Sequence, residues 1–388
     1  LNYVGKKISI LFVIDGLEFG GGERVFLQLA AGLRDRYEVF VAAMQGGIFE
    51  HELKRLEIQF FPVDINRRFS FKPILQLKRI IKERKIDFVH SQGARADFFA
   101  RIGGKLAGVT NIVCTIAMPV EGFEVNLLRK KIYRFMDWLS ERYIARFIVV
   151  SDSLRKTLIQ RRGIPPEKVI KICNGIELDQ YQPVKEQANL RKQWEISPET
   201  PVVGAIGRMV WQKGFEYLIQ AIPIIIEKFP KTKTIIVGDG PLREKLETLG
   251  ENLKVNRNVI FAGFQNDVRE ILFAIDVLVI PSLLEGFPMI TLEAMAMSKP
   301  VVATNIDGIT EQITHGKEGV LVQPRDPDAL AEAIIKVLSR KEYSKAIGLA
   351  ARKRAEEEFS VEKMLAETEK VYSFLLRGKQ DEELSLLQ

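Results

Sequence analysis

Cysteine, histidine and tryptophan are what this sequence has least of: two, three and three, respectively, in 388 residues. Cys114 and Cys173 stand far apart in apolar surroundings, at no metal-binding or redox spacing. Both are expected to be buried and reduced, which excludes a disulfide framework and suits a cytoplasmic protein. Three scattered histidines and two isolated cysteines build no transition-metal site. Long apolar runs are missing too. Ile10–Ile14 and Val277–Ile280 are among the longest, far short of the roughly 20 residues that cross a bilayer. Lys6 and Lys7 lead straight into a strand-like segment, so no signal peptide is expected. There is no repeat at a solenoid or propeller period and no low-complexity tract.

What is present is ordinary in amount and uneven in placement. Apolar residues make up 46% and charged residues 28% of the chain, enough to bury a core in each of two domains at roughly 100–200 residues per domain. Residues 1–182 hold 30 Lys and Arg against 20 Asp and Glu, or +10; the remainder holds 27 against 30, or −3, giving the net +7. A basic first half fits an acidic partner such as an anionic membrane, a phosphorylated substrate or nucleic acid; a solvated surface with a basic bias is the alternative.

Strands and helices alternate through that first half. Ile8–Ile14, Val39–Ala43, Phe60–Val63, Asp87–His90, Ile112–Ile116 and Ile144–Val150 read as strands, with helical patterns at Glu23–Leu33, Pro73–Lys85, Ala94–Ala107 and Leu127–Tyr143. The pattern breaks over the polar stretch Asp179–Pro201, and a linker is expected near Pro183. Alternation resumes at Val202–Ile206 and runs through Thr234–Val237, Val259–Ala262, Val277–Ile280, Val301–Ala303 and Val320–Val322. The expected fold is α/β, with two parallel sheets each covered by helices.

Three segments carry chemistry. Gly20, Gly21 and Gly22 sit between the first strand and the first helix, where a backbone can approach a ligand and a helix N-terminus favours anions. The second domain opens with a strand and then Gly207-Arg208, with Lys213 five residues on. Two cations at the ligand edge of a parallel sheet suit a diphosphate; two solvated loop cations are the alternative. The most informative stretch is Glu285-Gly286-Phe287-Pro288-Met289-Ile290-Thr291-Leu292-Glu293. Pro288 suits the first helical position, leaving the N–H groups of Met289, Ile290 and Thr291 for phosphate oxygens. Each glutamate can accept two hydroxyls of a vicinal diol. Asp326-Pro327-Asp328 has the spacing of a metal-binding Asp-x-Asp, but the apolar-periodic helix that follows marks it as a cap.

That stretch resembles the E-x7-E motif of the retaining glycosyltransferases of group 1, or family 4. The companion pieces agree in order: Gly20-Gly21-Gly22-Glu23-Arg24, Val149-Val150-Ser151-Asp152-Ser153, Asn174-Gly175-Ile176-Glu177, Gly207-Arg208 with Lys213-Gly214, and Val237-Gly238-Asp239-Gly240-Pro241. The resemblance reaches to about residue 375. It implies a GT-B architecture, two Rossmann-like domains facing across a cleft. The acceptor-side domain would span 1–182, the donor domain 183–360, and a helix over 361–388 would cross back with the tail. It also implies roles. Arg208 and Lys213 would bind the donor diphosphate, Glu293 the ribose, and Glu285 the donor sugar. Backbone from Phe287 to Thr291 would lie nearby, Gly263-Phe264-Gln265 would border the base, and Gly207, Gly240, Gly286 and the Gly20–Gly22 loop would approach the donor. The donor would be a nucleotide sugar, most simply a UDP-sugar, used without a metal. The acceptor would be a glycan or lipid-linked glycan, and the enzyme would lie in the cytoplasm or at the inner face of an anionic membrane. Relatives often carry Thr-x-His where this chain reads Thr115-Ile116-Ala117. Ala117 cannot supply that group, which leaves His90 as a candidate catalytic replacement or as a strand-end histidine without a role. The alternative functions are a nucleotide-sugar epimerase on the same fold, a nicotinamide-dependent oxidoreductase, for which the third glycine of the fingerprint is absent, and a basic nucleic-acid binder, for which there is no motif.

Overall fold

The computed structural model describes residues 2–3, 6–16, 19–65, 70–118, 135, 137–181, 189–265 and 267–386, with side chains to residue 377. The chain forms two compact units. The first comprises Leu1–Asn174 with Val361–Gln388, and the second is Gly175–Ser360. The expected linker near Pro183 lies outside the described residues, as do most of the helical segment expected over Leu127–Tyr143 and Arg129, Lys130, Lys131 and Arg134 within it.

In the first unit seven strands form a parallel sheet: β1 (Ser9–Ile14), β2 (Glu38–Ala43), β3 (Gln59–Pro62), β4 (Phe88–Gln92), β5 (Asn111–Ile116), β6 (Arg146–Val149) and β7 (Val169–Lys171). Their order is β3-β2-β1-β4-β5-β6-β7. Every residue of β1 and β4 is buried, as a parallel sheet covered on both faces requires. The helix Lys72–Glu83 shows the other half of the logic. Its inward stripe of Pro73, Ile74, Leu77 and Ile81 is buried, and each such aliphatic side chain contributes about 1.5–3 kcal/mol by leaving water. Ile74, Leu77 and Ile81 join Leu11, Val13, Val89 and Ile112 in one core. The helix Val361–Leu386 also belongs to this unit, where Tyr372 packs edge-on against Tyr37 with ring centroids 6.0 Å apart.

The second unit repeats the plan with β8 (Val202–Ile206), β9 (Lys233–Val237), β10 (Val259–Gly263), β11 (Val277–Ile280), β12 (Val301–Thr304) and β13 (Val320–Val322), in the order β10-β9-β8-β11-β12-β13. Helices Phe215–Lys228 and Pro327–Ser339 close one face over a core that includes Leu218, Ile222, Ile236, Val279 and Ile334. Asp326 caps the second of these helices, its carboxylate accepting from the Ala329 N–H at 2.9 Å. Both units are Rossmann-like, the α/β class expected. Two particulars differ. Val169–Lys171 was not expected as a strand, and Cys173 is only half-buried beside the fully buried Cys114.

Candidate active site in the second unit

In β10-β9-β8-β11-β12-β13 the direction of winding reverses between β8 and β11, and an open α/β sheet binds its ligands beyond the carboxyl ends of the strands at such a point. The chain leaves β8 at Gly207 and Arg208, and β11 at Pro281. Arg208 is exposed on its loop. The short 3-10 turn Trp211–Lys213 then brings the chain back to β11. Gly214 ends that turn at φ +58°, and a Cβ there would lie 2.2 Å from the Pro281 carbonyl oxygen. Only glycine permits both the left-handed backbone and this approach. The Gln212 carbonyl meanwhile accepts from the N–H groups of Leu283 and Leu284 at 2.7 and 3.3 Å.

The two loops are therefore stitched together, and their charged side chains meet. Lys213 Nζ lies 2.6 Å from Glu285 Oε1, and the Ser282 hydroxyl donates to the same oxygen at 2.7 Å. Glu285 is buried and Lys213 half-buried. Thr304 fixes the loop from β12, its hydroxyl donating to the Ser282 carbonyl at 2.5 Å. Gly308, at φ +83°, lets its backbone come so near Gly286 that a Cβ would sit 2.3 Å from the Gly286 oxygen. The neighbouring loops are tied in as well. The Met209 N–H donates to the Asp239 carbonyl and the Gly238 N–H to the Gly263 carbonyl, both at 2.8 Å. Gly240, Gly263 and the exposed Phe264 thus border the same sheet edge, at the ends of β9 and β10.

After Glu285 the chain passes Gly286 and Phe287 into the helix Met289–Ala296. Pro288 stands one position earlier than expected: with φ −67° and ψ 128° it is the N-cap, and its carbonyl accepts from Gln312 Nε2 at 3.1 Å. Met289, Ile290 and Thr291 are then the first helical residues, whose N–H groups have no acceptor within the helix. The phenyl ring of Phe287 meets that of Phe359 edge to face at 5.4 Å. Every residue of the helix is buried. A Glu here is the informative exception, because an ionised carboxylate is costly to bury unless donors replace water. Glu293 is 2% exposed, and the hydroxyl of Tyr181 donates to its Oε1 at 3.0 Å. No local sequence pattern marks Tyr181 as part of the site.

The expected residues of the first unit are arranged differently. Gly20 is the N-cap of the helix Gly21–Leu33, so Gly21 and Gly22 form its first turn and not a loop. Glu23 Oε2 accepts from the Gly20 N–H at 3.0 Å. The expectation that His90 replaces the missing histidine fails on geometry. Its side chain is fully buried, Nδ1 lies 2.6 Å from the Tyr372 hydroxyl, and Nε2 lies 2.7 Å from Thr115 Oγ1. Burial pushes its pKa down to about 3. Neither ring nitrogen is left to meet a sugar, and the imidazole is a neutral link between the returning helix and the sheet. His51 and His315 are exposed, as expected. Among the described residues no group of three His, Cys, Asp or Glu side chains is placed to hold a metal, and no helix is long and apolar enough to cross a membrane.

Two family models match successive parts of the chain: Glycosyltransferase Family 4 over residues 19–180 and Glycosyl transferases group 1 over residues 186–354. An uncharacterized glycosyltransferase of Methanocaldococcus jannaschii is 35% identical over 246 residues, 62% of this chain and 63% of that protein. The UDP-Gal:alpha-D-GlcNAc-diphosphoundecaprenol alpha-1,3-galactosyltransferase of Escherichia coli is 27% identical across 87% of this chain and 89% of its own. The crystal structure of Anabaena HepE in complex with UDP and glucose superposes with a TM-score of 0.83 at 23% identity, over 94% of this chain and 99% of that one. With a glycosyltransferase family model on each unit, Family 4 on the first and group 1 on the second, the chain is a glycosyltransferase, and the HepE superposition shows the same fold over nearly the whole length.

Proposed function

We propose that the enzyme transfers a sugar from a UDP-sugar to a lipid-linked or cell-surface glycan, with retention of configuration and without a metal. The observation that carries this reading is the Lys213–Glu285 pair at the β8–β11 switch point, 2.6 Å apart and beside the N-terminus of Met289–Ala296. As the glycosidic bond to the nucleotide breaks, negative charge gathers on the diphosphate. A lysine ammonium has three hydrogens, and one bond to Glu285 leaves two for phosphate oxygens. Arg208 adds a second cation, and the N–H groups of Met289, Ile290 and Thr291 add neutral donors. Glu285, steadied by Ser282, receives the hydroxyls of the donor sugar, and Glu293 receives the ribose. UDP as the nucleotide is supported by HepE, whose crystals hold UDP and glucose, and a lipid-linked acceptor by the diphosphoundecaprenol substrate in the name of the Escherichia coli relative.

Titrating the protein with UDP, GDP and ADP sugars and following its melting temperature tests the donor. A true donor at 100 times its Kd adds about 2.7 kcal/mol of stability. The anomeric configuration of the product, read by proton NMR, tests retention. No stabilisation by any uridine nucleotide would overturn the donor assignment, and an inverted anomer would overturn the stereochemistry.

The same reading extends to docking on an anionic membrane. The helix Lys72–Glu83 turns Lys72, Leu75, Arg79 and Lys82 outward, with Phe71 75% exposed at its start. Trp138, also in the first unit, is 69% exposed. Aromatic and basic side chains together suit the headgroup region.

A further inference from the structure

Glu293 is more deeply buried than Glu285, and what steadies it comes from a distant part of the chain. Tyr181 ends the 3-10 turn Leu178–Tyr181, just after the chain enters the second unit. That turn is held by its backbone. Arg269 donates to the Gln180 carbonyl at 3.2 Å and Arg352 to the Tyr181 carbonyl at 3.4 Å. Both arginines are themselves fixed, Arg269 to Asp267 at 2.6 Å and Arg352 to Glu356 at 2.5 Å. Upstream, the Ile176 N–H donates to the Phe359 carbonyl at 2.8 Å. Such anchoring leaves the phenol little freedom, so its 3.0 Å bond sets the plane of the Glu293 carboxylate before a ligand arrives.

We propose that Tyr181 is a positioning residue for nucleotide recognition: by holding Oε1 of Glu293 it presents the carboxylate to the 2′- and 3′-hydroxyls of the ribose. This rests on the reading of Glu293 as the ribose acceptor. A carboxylate free to rotate would lose torsional entropy on meeting a diol, whereas one already fixed does not, and a buried carboxylate deprived of its phenol donor turns toward other donors.

The test compares UDP with 2′-deoxy-UDP by calorimetry on the wild-type enzyme, Tyr181→Phe and Glu293→Gln. Phenylalanine keeps the ring and removes only the hydroxyl. The wild type should favour the ribonucleotide by about tenfold or more, the scale of one hydrogen bond to a charged group. Glu293→Gln should abolish most of that preference. Tyr181→Phe should cut it by about threefold to tenfold, leave 2′-deoxy-UDP affinity near wild type, lower the melting temperature because a buried carboxylate loses a donor, and raise the donor KM while kcat holds. Three results would overturn the proposal. If Tyr181→Phe weakens both nucleotides equally, the tyrosine only packs. If Tyr181→Phe keeps the full preference while Glu293→Gln loses it, Glu293 meets the ribose without help. If Glu293→Gln keeps the preference, the reading of Glu293 itself fails.

Discussion

Lys213 partners the buried Glu285, and Arg208 stands exposed on its loop. Arg208→Ala should reduce turnover by about 10²–10³, the usual scale for one lost transition-state donor. Lys213→Ala should cost as much turnover and lower the melting temperature as well, because it strands a carboxylate away from water. Turnover of the wild type should survive excess chelator; activity abolished by chelator and restored by magnesium or manganese would refute metal-free leaving-group stabilisation. The two glutamates separate by ligand. Glu293→Gln should weaken binding of bare UDP in calorimetry. Glu285→Gln should leave it nearly intact and slow sugar transfer. Equal losses of UDP affinity would dissolve the distinction.

At the scale of elements, the loop joints are the vulnerable points. Gly214→Ala forces a left-handed backbone onto a side chain and drives a Cβ toward the Pro281 oxygen. It should destabilise the protein by well over the ~1 kcal/mol expected for removing the Asp326 helix cap as Asp326→Ala. Urea denaturation ranks the two, and a milder effect for Gly214→Ala would mean that the joint can relax.

The helix Val361–Leu386 offers a pH test through its Tyr372–His90 bond. His90 is depressed to about 3 in the folded protein, against about 6.5 when unfolded. The unfolded chain then binds the extra proton between those values, so His90 contributes stability that is complete above pH 6.5 and is lost as the pH falls toward 3. Asp97 opposes it. Burial raises that carboxyl to about 6, so its contribution is complete below its unfolded value and is lost as the pH rises through 6. The two slopes largely cancel near pH 5. His90→Gln should remove only the first, changing the slope of stability with pH by up to about 1.4 kcal/mol per unit between pH 4 and 6. An unchanged slope would show that His90 is charged in the folded state.

Much of this architecture was legible in the sequence, and the misses share a cause. Strands such as β8 and β11 announce themselves as uninterrupted apolar runs. Val169–Lys171 does not, being three residues long, at a sheet edge, with one residue fully buried. The cation and carboxylate of the site were readable because motif spacing places both on loops at one sheet edge. Pro288 was misplaced by a single position, since proline fits either the N-cap or the first turn. His90 stands out in the sequence only as a strand-end histidine, its structural partner hidden, and Tyr181 does not stand out at all. Each is defined by a partner 282 or 112 residues away, and nothing in a local pattern reports such a meeting.

For the molecule as a whole, charge is the long-range property. The first 182 residues carry +10 and the rest −3. If Lys72 and Lys82 dock on lipid, each contributes about 1 kcal/mol near an anionic surface, while Arg79 is already paired with Glu83, and the attraction is screened within a Debye length of about 8 Å at physiological salt. Sedimentation with vesicles containing anionic lipid should show binding at low salt that is lost at high salt, and none with neutral vesicles. Binding to neither kind of vesicle would remove membrane docking and point to a soluble acceptor, and equal binding to both would replace electrostatic docking with an apolar one.

The chain enters the second unit at Gly175 and leaves it at Ser360, and Ile176 forms a parallel bridge with Ser360. Entry and exit are thus one hydrogen-bonded step apart. To the rest of the protein, the second unit is a cassette with adjoining ends. A segment with that topology can be lifted out as a gene fragment, expressed alone, or exchanged for a relative's without rerouting the host. On the proposed assignment of the donor to this unit, swapping residues 175–360 between related glycosyltransferases should move the choice of nucleotide sugar and leave the choice of acceptor with the recipient.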